Sequence, residues 1–197
     1  MKACVFFECS ERIKKALLDM GVDAHSCDLK PGEQGLPNHH QCDFRELLSE
    51  HWDLGIFHPD CTRVANSGVR WLFVIPGRYE RMIDDCELFN LCLNAPNIKR
   101  KCLENPIQHR YAREWIRSYD QIIHPHYFGE PESKATCLWL ENLPLLKRTH
   151  YLDKSEIKQS VWREAPSPER KANRARTFQG IADAMATQWS NLEGLEG

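Results

Sequence analysis

Three short segments of this chain carry side chains that can do chemistry together. His58-Pro59-Asp60-Cys61-Thr62 follows an apolar run and leads into Arg63 and Ala65-Asn66-Ser67-Gly68. A cysteine at such a point, beside a histidine, an arginine and backbone N–H groups, can become a thiolate nucleophile. The commoner fate of a cysteine in an apolar setting is an inert buried thiol. Glu104-Asn105-Pro106 closes a second apolar run. A partly buried carboxyl there can have its pKa raised and act as a general acid, or it can simply cap a loop. Asp28 closes a third run. An acidic residue about 20 residues beyond a first strand–helix turn can accept hydrogen bonds from a ribose diol. It reads equally well as a turn residue.

The elements that must position these groups alternate in type. Residues 2–7, short and apolar, read as a buried strand, and 22–27, 53–58, 98–103, 120–124 and 135–140 read as further strands. Between them lie helical patterns. Ser10 offers an N-cap for Ile13, Ala16, Leu17 and Met20, and Gly21 ends that helix. Residues 30–41 hold Pro, Gly and Asn and read as loop, and a short helix is expected at 44–50. The longest helix is expected at 78–94, with Met82, Cys86, Phe89 and Leu93 on one face; others follow near 109–117 and at 178–190. Trp71, Trp139 and Trp189 read as core. Such alternation predicts an α/β fold with a mostly parallel sheet covered by helices on both faces. Ligands of such sheets bind beyond the carboxyl ends of the strands, where the three segments fall.

With 197 residues, 42% hydrophobic and 27% charged, the chain is expected to form one domain over 1–197. No apolar run approaches the roughly 20 residues of a membrane-spanning helix, so no membrane partner is expected. Nine cysteines, an odd number without framework spacing, predict free thiols and a cytoplasmic setting. No CxxC pair is present, and His39, His40, Cys42, His124 and His126 read as surface and core residues, so no metal site is expected. The net charge of −2 is uneven: residues 147–176 hold nine basic and four acidic side chains. That block reads as a solvated excursion able to face phosphate.

In this order, the segments resemble the C5-cytosine DNA methyltransferases. The hallmark of that family is a strand ending in Pro-Pro-Cys, followed by one ending in Glu-Asn-Val; here Pro59-Asp60-Cys61 and Glu104-Asn105-Pro106 take their places. Phe7-Glu8-Cys9-Ser10 stands at the first cofactor motif, with Glu11 where the family has glycine. The stretch HPDCTRVANSGVRWL, with KATCLWLENLP, is most similar to small phage-encoded relatives of these enzymes.

The resemblance implies a Rossmann-like, class I methyltransferase-type sheet with one antiparallel strand near its late edge, and S-adenosylmethionine as cofactor. Phe7, Glu8, Ser10, Asp28, Asp43 and Pro59 would hold the cofactor, with Asp28 on its ribose and Asp43 on its adenine. Cys61 would add to C6 of the pyrimidine, and Glu104, with Asn105, would hold the base at N3. Thr62, Arg63, Ser67, Lys134, Arg174 and Arg176 would contact a substrate that is DNA or a pyrimidine nucleotide, flipped from the stack if it lies in a duplex. Asn66 to Gly68 would be the mobile part of the catalytic loop, with Gly68 as hinge. Residues 141–176 stand in place of a target recognition domain, so a protein partner is a second source of recognition. The alternative is a degenerate methyltransferase fold that holds a nucleotide or adenosyl ligand, or a host protein in phage counter-defence or regulation. In a phage-encoded protein, the setting is the host cytoplasm.

Overall fold

A computed structural model describes residues 1–160 and 176–192. Its centre is a seven-stranded sheet built from β1 (Lys2–Phe6), β2 (Asp23–Asp28), β3 (His39–Gln41), β4 (Trp52–Phe57), β5 (Ile98–Asn105), β6 (Gln121–Ile123) and β7 (Thr136–Glu141). The strand order is β3-β2-β1-β4-β5-β7-β6. All neighbours are parallel except β7, which runs against both β5 and β6. This is a Rossmann-like α/β fold with a mostly parallel sheet, and β7 is the antiparallel strand expected near the late edge.

Period-two alternation divides the core between two faces. Val5, Leu54, Ile56, Cys102 and Leu138 meet α1 (Arg12–Asp19) and α3 (Gln179–Trp189) on one side. Phe6, Phe57, Leu103, Cys137 and Trp139 meet α2 (Arg78–Leu93) on the other. Met82, Cys86, Phe89 and Leu93 are buried as their spacing predicts. Trp139 and Trp189 are buried, whereas Trp71 is 43% exposed and is not a core residue.

Four local expectations are corrected. First, α1 starts at Arg12, not after a Ser10 cap; Glu11 occupies the cap position at φ 57°. The orphan N–H groups of Ile13 and Lys14 are taken instead by the Glu8 carboxylate, at 2.7 and 3.3 Å. Second, the presumed loop 30–41 ends in β3. Three polar residues carry no alternation to reveal it, and pairing with β2 creates the strand. Third, residues 44–47 form a 3-10 turn with Asp43 at its cap, not a helix over 44–50. Fourth, the helix near 109–117 is only a 3-10 turn at Ala112–Glu114. No helix among the described residues is long and apolar enough to cross a membrane.

The chain runs outward from β1 to β3, then returns to β4 beside β1. The carboxyl ends of β1 and β4 therefore flank the point where strand order reverses, which is where open α/β sheets form a crevice. Phe7-Glu8 and His58-Pro59 leave those two ends. Asp28 and Glu104 stand at the ends of the strands beside them.

Candidate functional site

Glu104 and His58 extend the β4–β5 register by one residue, and this brings them together. His58 Nδ1 lies 2.8 Å from Glu104 Oε2, with both side chains 12% exposed. Burial pushes the Glu104 carboxyl up, but the His58 hydrogen bond, the His58 charge and Lys134 outweigh it, so its pKa is lowered. Burial pushes His58 down, yet Glu104 and Glu8 outweigh that and raise it. Both shifts favour the carboxylate–imidazolium pair, and the Glu104 pKa moves opposite to the rise that the general-acid reading requires. The pair uses one imidazole nitrogen. His58 Nε2 is buried with no hydrogen-bond partner among the described residues.

Cys61 lies half-buried in the next turn. Burial raises its pKa, and the charges of Asp60 and Glu104 raise it further against the opposing pull of Lys134. The thiol therefore rests protonated. Asn105, 1% exposed, donates from Nδ2 to the Pro59 carbonyl at 2.9 Å and so pins the loop that carries Cys61. Its Oδ1 is buried without a partner among the described residues. Lys134, two residues before β7, stands 5.9 Å from the Phe178 ring, and its charge acts on both Glu104 and Cys61. Cys61, Glu104, Asn105 and Lys134 are thus brought to one sheet edge. His58 is a site residue that the sequence reading does not single out. The histidine beside a strand-end cysteine was the available signal.

Other expected substrate contacts are engaged within the protein. Arg63 Nε reaches Asp85 Oδ2 at 2.6 Å and ties the Cys61 loop to α2. Thr62 N–H donates to Asp60 Oδ1 at 2.8 Å, with the Thr62 hydroxyl on the same oxygen. Arg176 pairs with Glu33 at 2.9 Å, and Arg174 lies outside the described residues. Ser67 is exposed within the 3-10 turn Asn66–Trp71. In that turn, a Cβ on Gly68 would sit 2.5 Å from the Thr62 carbonyl. Gly68 is a close-packing point here, with no positive φ to mark it as a hinge.

On the cofactor side, Asp28 Oδ1 accepts from Lys30 N at 2.9 Å, the turn role foreseen as its alternative. Asp43 caps its 3-10 turn and pairs with Arg45 at 3.0 Å. Phe7 takes φ 61° and packs against Phe44 at 4.6 Å. Ser10 lies 3.4 Å from Glu8, which is committed to α1, and Pro59 is buried.

The decisive feature of this side is Glu11. Its carboxylate is fully buried against Lys14 Nζ at 2.5 Å. It also accepts from Gln34 N at 2.7 Å. Lys14 Nζ reaches the Pro37 carbonyl at 2.9 Å, and Glu33 N reaches the Cys9 carbonyl at 2.8 Å. Residues 32–37 thereby lie across the β1–α1 turn. A Cβ on Gly32 would meet the Glu11 carboxyl at 2.6 Å. The Glu11 carboxyl pKa is lowered: burial pushes it up, and the bonds from Lys14 and Gln34 more than reverse this. In the arrangement that the resemblance implies, S-adenosylmethionine would bring its methionine end to that turn, where it meets a volume already filled by the Glu11–Lys14 pair. The residues present do not fit that end of the group. No group of three or more His, Cys, Asp or Glu able to hold a metal ion occurs among the described residues.

No protein-family model matches the chain, and none of the curated proteins matches it in sequence. Among solved structures it is similar to the Entamoeba histolytica methyltransferase EhMeth, at 15% identity and a TM-score of 0.46 over 81% of this chain and 57% of that one. It is also similar to WbdD, solved with the kinase inhibitor LY294002, at 13% identity and a TM-score of 0.40 over 78% of this chain and 40% of that one. The chain thus spans little more than half of the first and two fifths of the second.

Proposed function

We propose that this chain binds a pyrimidine nucleotide on a methyltransferase-type fold whose donor turn its own side chains have closed. The observation that carries the reading is the buried Glu11–Lys14 pair beneath Gly32, at the turn where a donor's carboxylate would need room. A buried pair of this kind is held by several bonds at once and is not opened by a weak ligand. The substrate half supports the ligand class. His58 Nε2 is a buried donor when the imidazole is protonated, and Asn105 Oδ1 is a buried acceptor, both without partners among the described residues. A base edge carrying an acceptor beside a donor, as cytosine does, satisfies both.

Calorimetric titration with cytidine and uridine nucleotides tests this reading. Saturable binding that Asn105→Ala abolishes and Asp28→Ala leaves intact is expected. Absence of binding by every pyrimidine nucleotide overturns it.

A second reading is C5-cytosine methyl transfer to DNA or a nucleotide, with S-adenosylmethionine as donor. The order Pro59-Asp60-Cys61 then Glu104-Asn105 favours it, as does the closeness of Glu104 to Cys61 that its effect on the thiol reflects. It requires methyl incorporation into cytosine that Cys61→Ser eliminates.

A further inference from the structure

The loop that carries Cys61 continues into an exposed aromatic surface that meets the rest of the fold at the first turn of α2 and at Tyr111. Trp71 is 43% exposed, Phe73 65%, Val74 66% and Ile75 40%, while Leu72 between them is buried as the anchor. Four neighbouring apolar residues open to water cost solvation with no return from the fold itself. The rings are ordered among themselves. Phe73 stacks on Tyr79 with centroids 5.6 Å apart and meets Tyr111 edge-on at 5.0 Å. Two exposed arginines lie on rings of the same surface: Arg70 is 4.8 Å from the Trp71 centroid, and Arg110 is 4.6 Å from that of Tyr111. The base of the surface is fixed to the candidate site, since Arg78 Nη2 donates to the Thr62 carbonyl at 2.8 Å.

We infer that this surface is a stacking platform for the unpaired bases of a single-stranded nucleic acid. Charge selects the occupant. Arg63 and Arg117 are neutralised by Asp85 and by Asp120 and Glu141, but residues 70–81 still hold three arginines against one glutamate, and residues 107–116 two against one, in a chain whose net charge is −2. A polyanion is drawn to that surplus, and its bases supply the flat apolar faces that exposed rings accept. In a duplex those faces are already covered by neighbouring bases. The inference rests on the nucleotide reading above only for the class of partner, because its residues are separate from His58, Glu104 and Asn105.

Fluorescence anisotropy of the full chain with labelled oligothymidylate, and with a duplex of the same length, tests it. The single strand is expected to bind more tightly than the duplex, with affinity falling as salt rises. Phe73→Ala should weaken binding about 5- to 150-fold, the loss of one stacked base. Phe73→Tyr should keep the affinity within about threefold. Leu29→Ala, a change at an exposed leucine of another segment, should leave it unchanged. Circular dichroism confirms that each variant folds. Equal affinity for duplex and single strand, or full affinity in Phe73→Ala, overturns the inference. So does self-association in sedimentation that Phe73→Ala abolishes while the oligonucleotide fails to bind. Loss of mononucleotide binding in Asn105→Ala, with oligonucleotide affinity intact, supports both readings separately. Oligonucleotide binding without any mononucleotide binding rejects only the pocket.

Discussion

Replacing Lys14 by methionine should destabilise the protein far more than a lysine substitution ordinarily does. Its ammonium is fully buried, 2.5 Å from Glu11, with the Pro37 carbonyl at 2.9 Å and the Leu36 carbonyl at 3.5 Å. Methionine keeps the apolar stem but removes the charge. The Glu11 carboxylate would then be buried with only the backbone N–H groups of Gln34 and Leu36 as donors. Breaking a buried pair by removing one partner costs about 3–5 kcal/mol, because the other charge is left uncompensated. At roughly 2–4 °C per kcal/mol for a chain of this length, thermal melting should shift down by about 6–20 °C. The double variant Glu11→Gly/Lys14→Met leaves no orphan charge, and glycine takes the φ of 57° without strain. It should recover to within about 2 kcal/mol of the native protein. Urea and thermal melts of the two single variants and the double, read as a double-mutant cycle, measure the coupling. A loss below about 1 kcal/mol in Lys14→Met, the scale of an exposed ion pair, refutes the reasoning.

Further outcomes follow from the same geometry. Glu104→Gln removes the strongest influences raising His58 and leaves burial, which lowers it, so the imidazole titration seen by NMR should move from above 6.5 to lower pH. In stability, the raised His58 pKa gives a contribution that is complete below about pH 6.5 and is lost as pH rises through the folded-state value. The lowered Glu104 pKa gives one that is complete above about pH 4.5 and is lost as pH falls. The native pair therefore adds most between those limits, and the difference in stability between native protein and His58→Gln across pH should show that window. Alkylation of Cys61 by iodoacetamide, followed by mass spectrometry, should be slow at neutral pH and still rising past pH 9, and Asp60→Asn should speed it at pH 7.5. A Cβ on Gly180 would lie 2.0 Å from the Phe128 carbonyl, so Gly180→Ala should destabilise by about 1–3 kcal/mol in urea unfolding.

The parts of the fold that a single segment dictates were legible from sequence. The face of α2 could be read because Met82, Cys86, Phe89 and Leu93 recur with the helical period and all are buried. The same holds for β1, β4 and β7, whose apolar segments need no distant partner to be recognised. Features created by tertiary pairing were not legible. Strand β3 is three polar residues that exist as a strand through β2, with His40 Nε2 2.9 Å from His25 Nδ1 across the pair. Glu8 was read as a cofactor residue, yet it caps α1. Nothing local distinguishes a carboxylate that reaches forward five residues from one that faces a ligand. Glu11 stands out in the sequence as a residue in a glycine's place, but its partner does not. Lys14 lies three residues on, a spacing that lets the two meet, and only the overlying 32–37 segment makes both fully buried. For the same reason Trp71 reads as core from sequence although it is 43% exposed: a tryptophan in an apolar run carries no mark that the run lies on the surface.

The central claim, that side chains of this protein close the donor turn, is tested most directly by calorimetric titration with S-adenosylhomocysteine of the native chain and of Glu11→Gly/Lys14→Met. The account predicts no measurable binding to the native chain and saturable binding to the double variant, whose turn is open and relieved of a buried charge. Tight binding to the native chain, undiminished relative to the double variant, would contradict it.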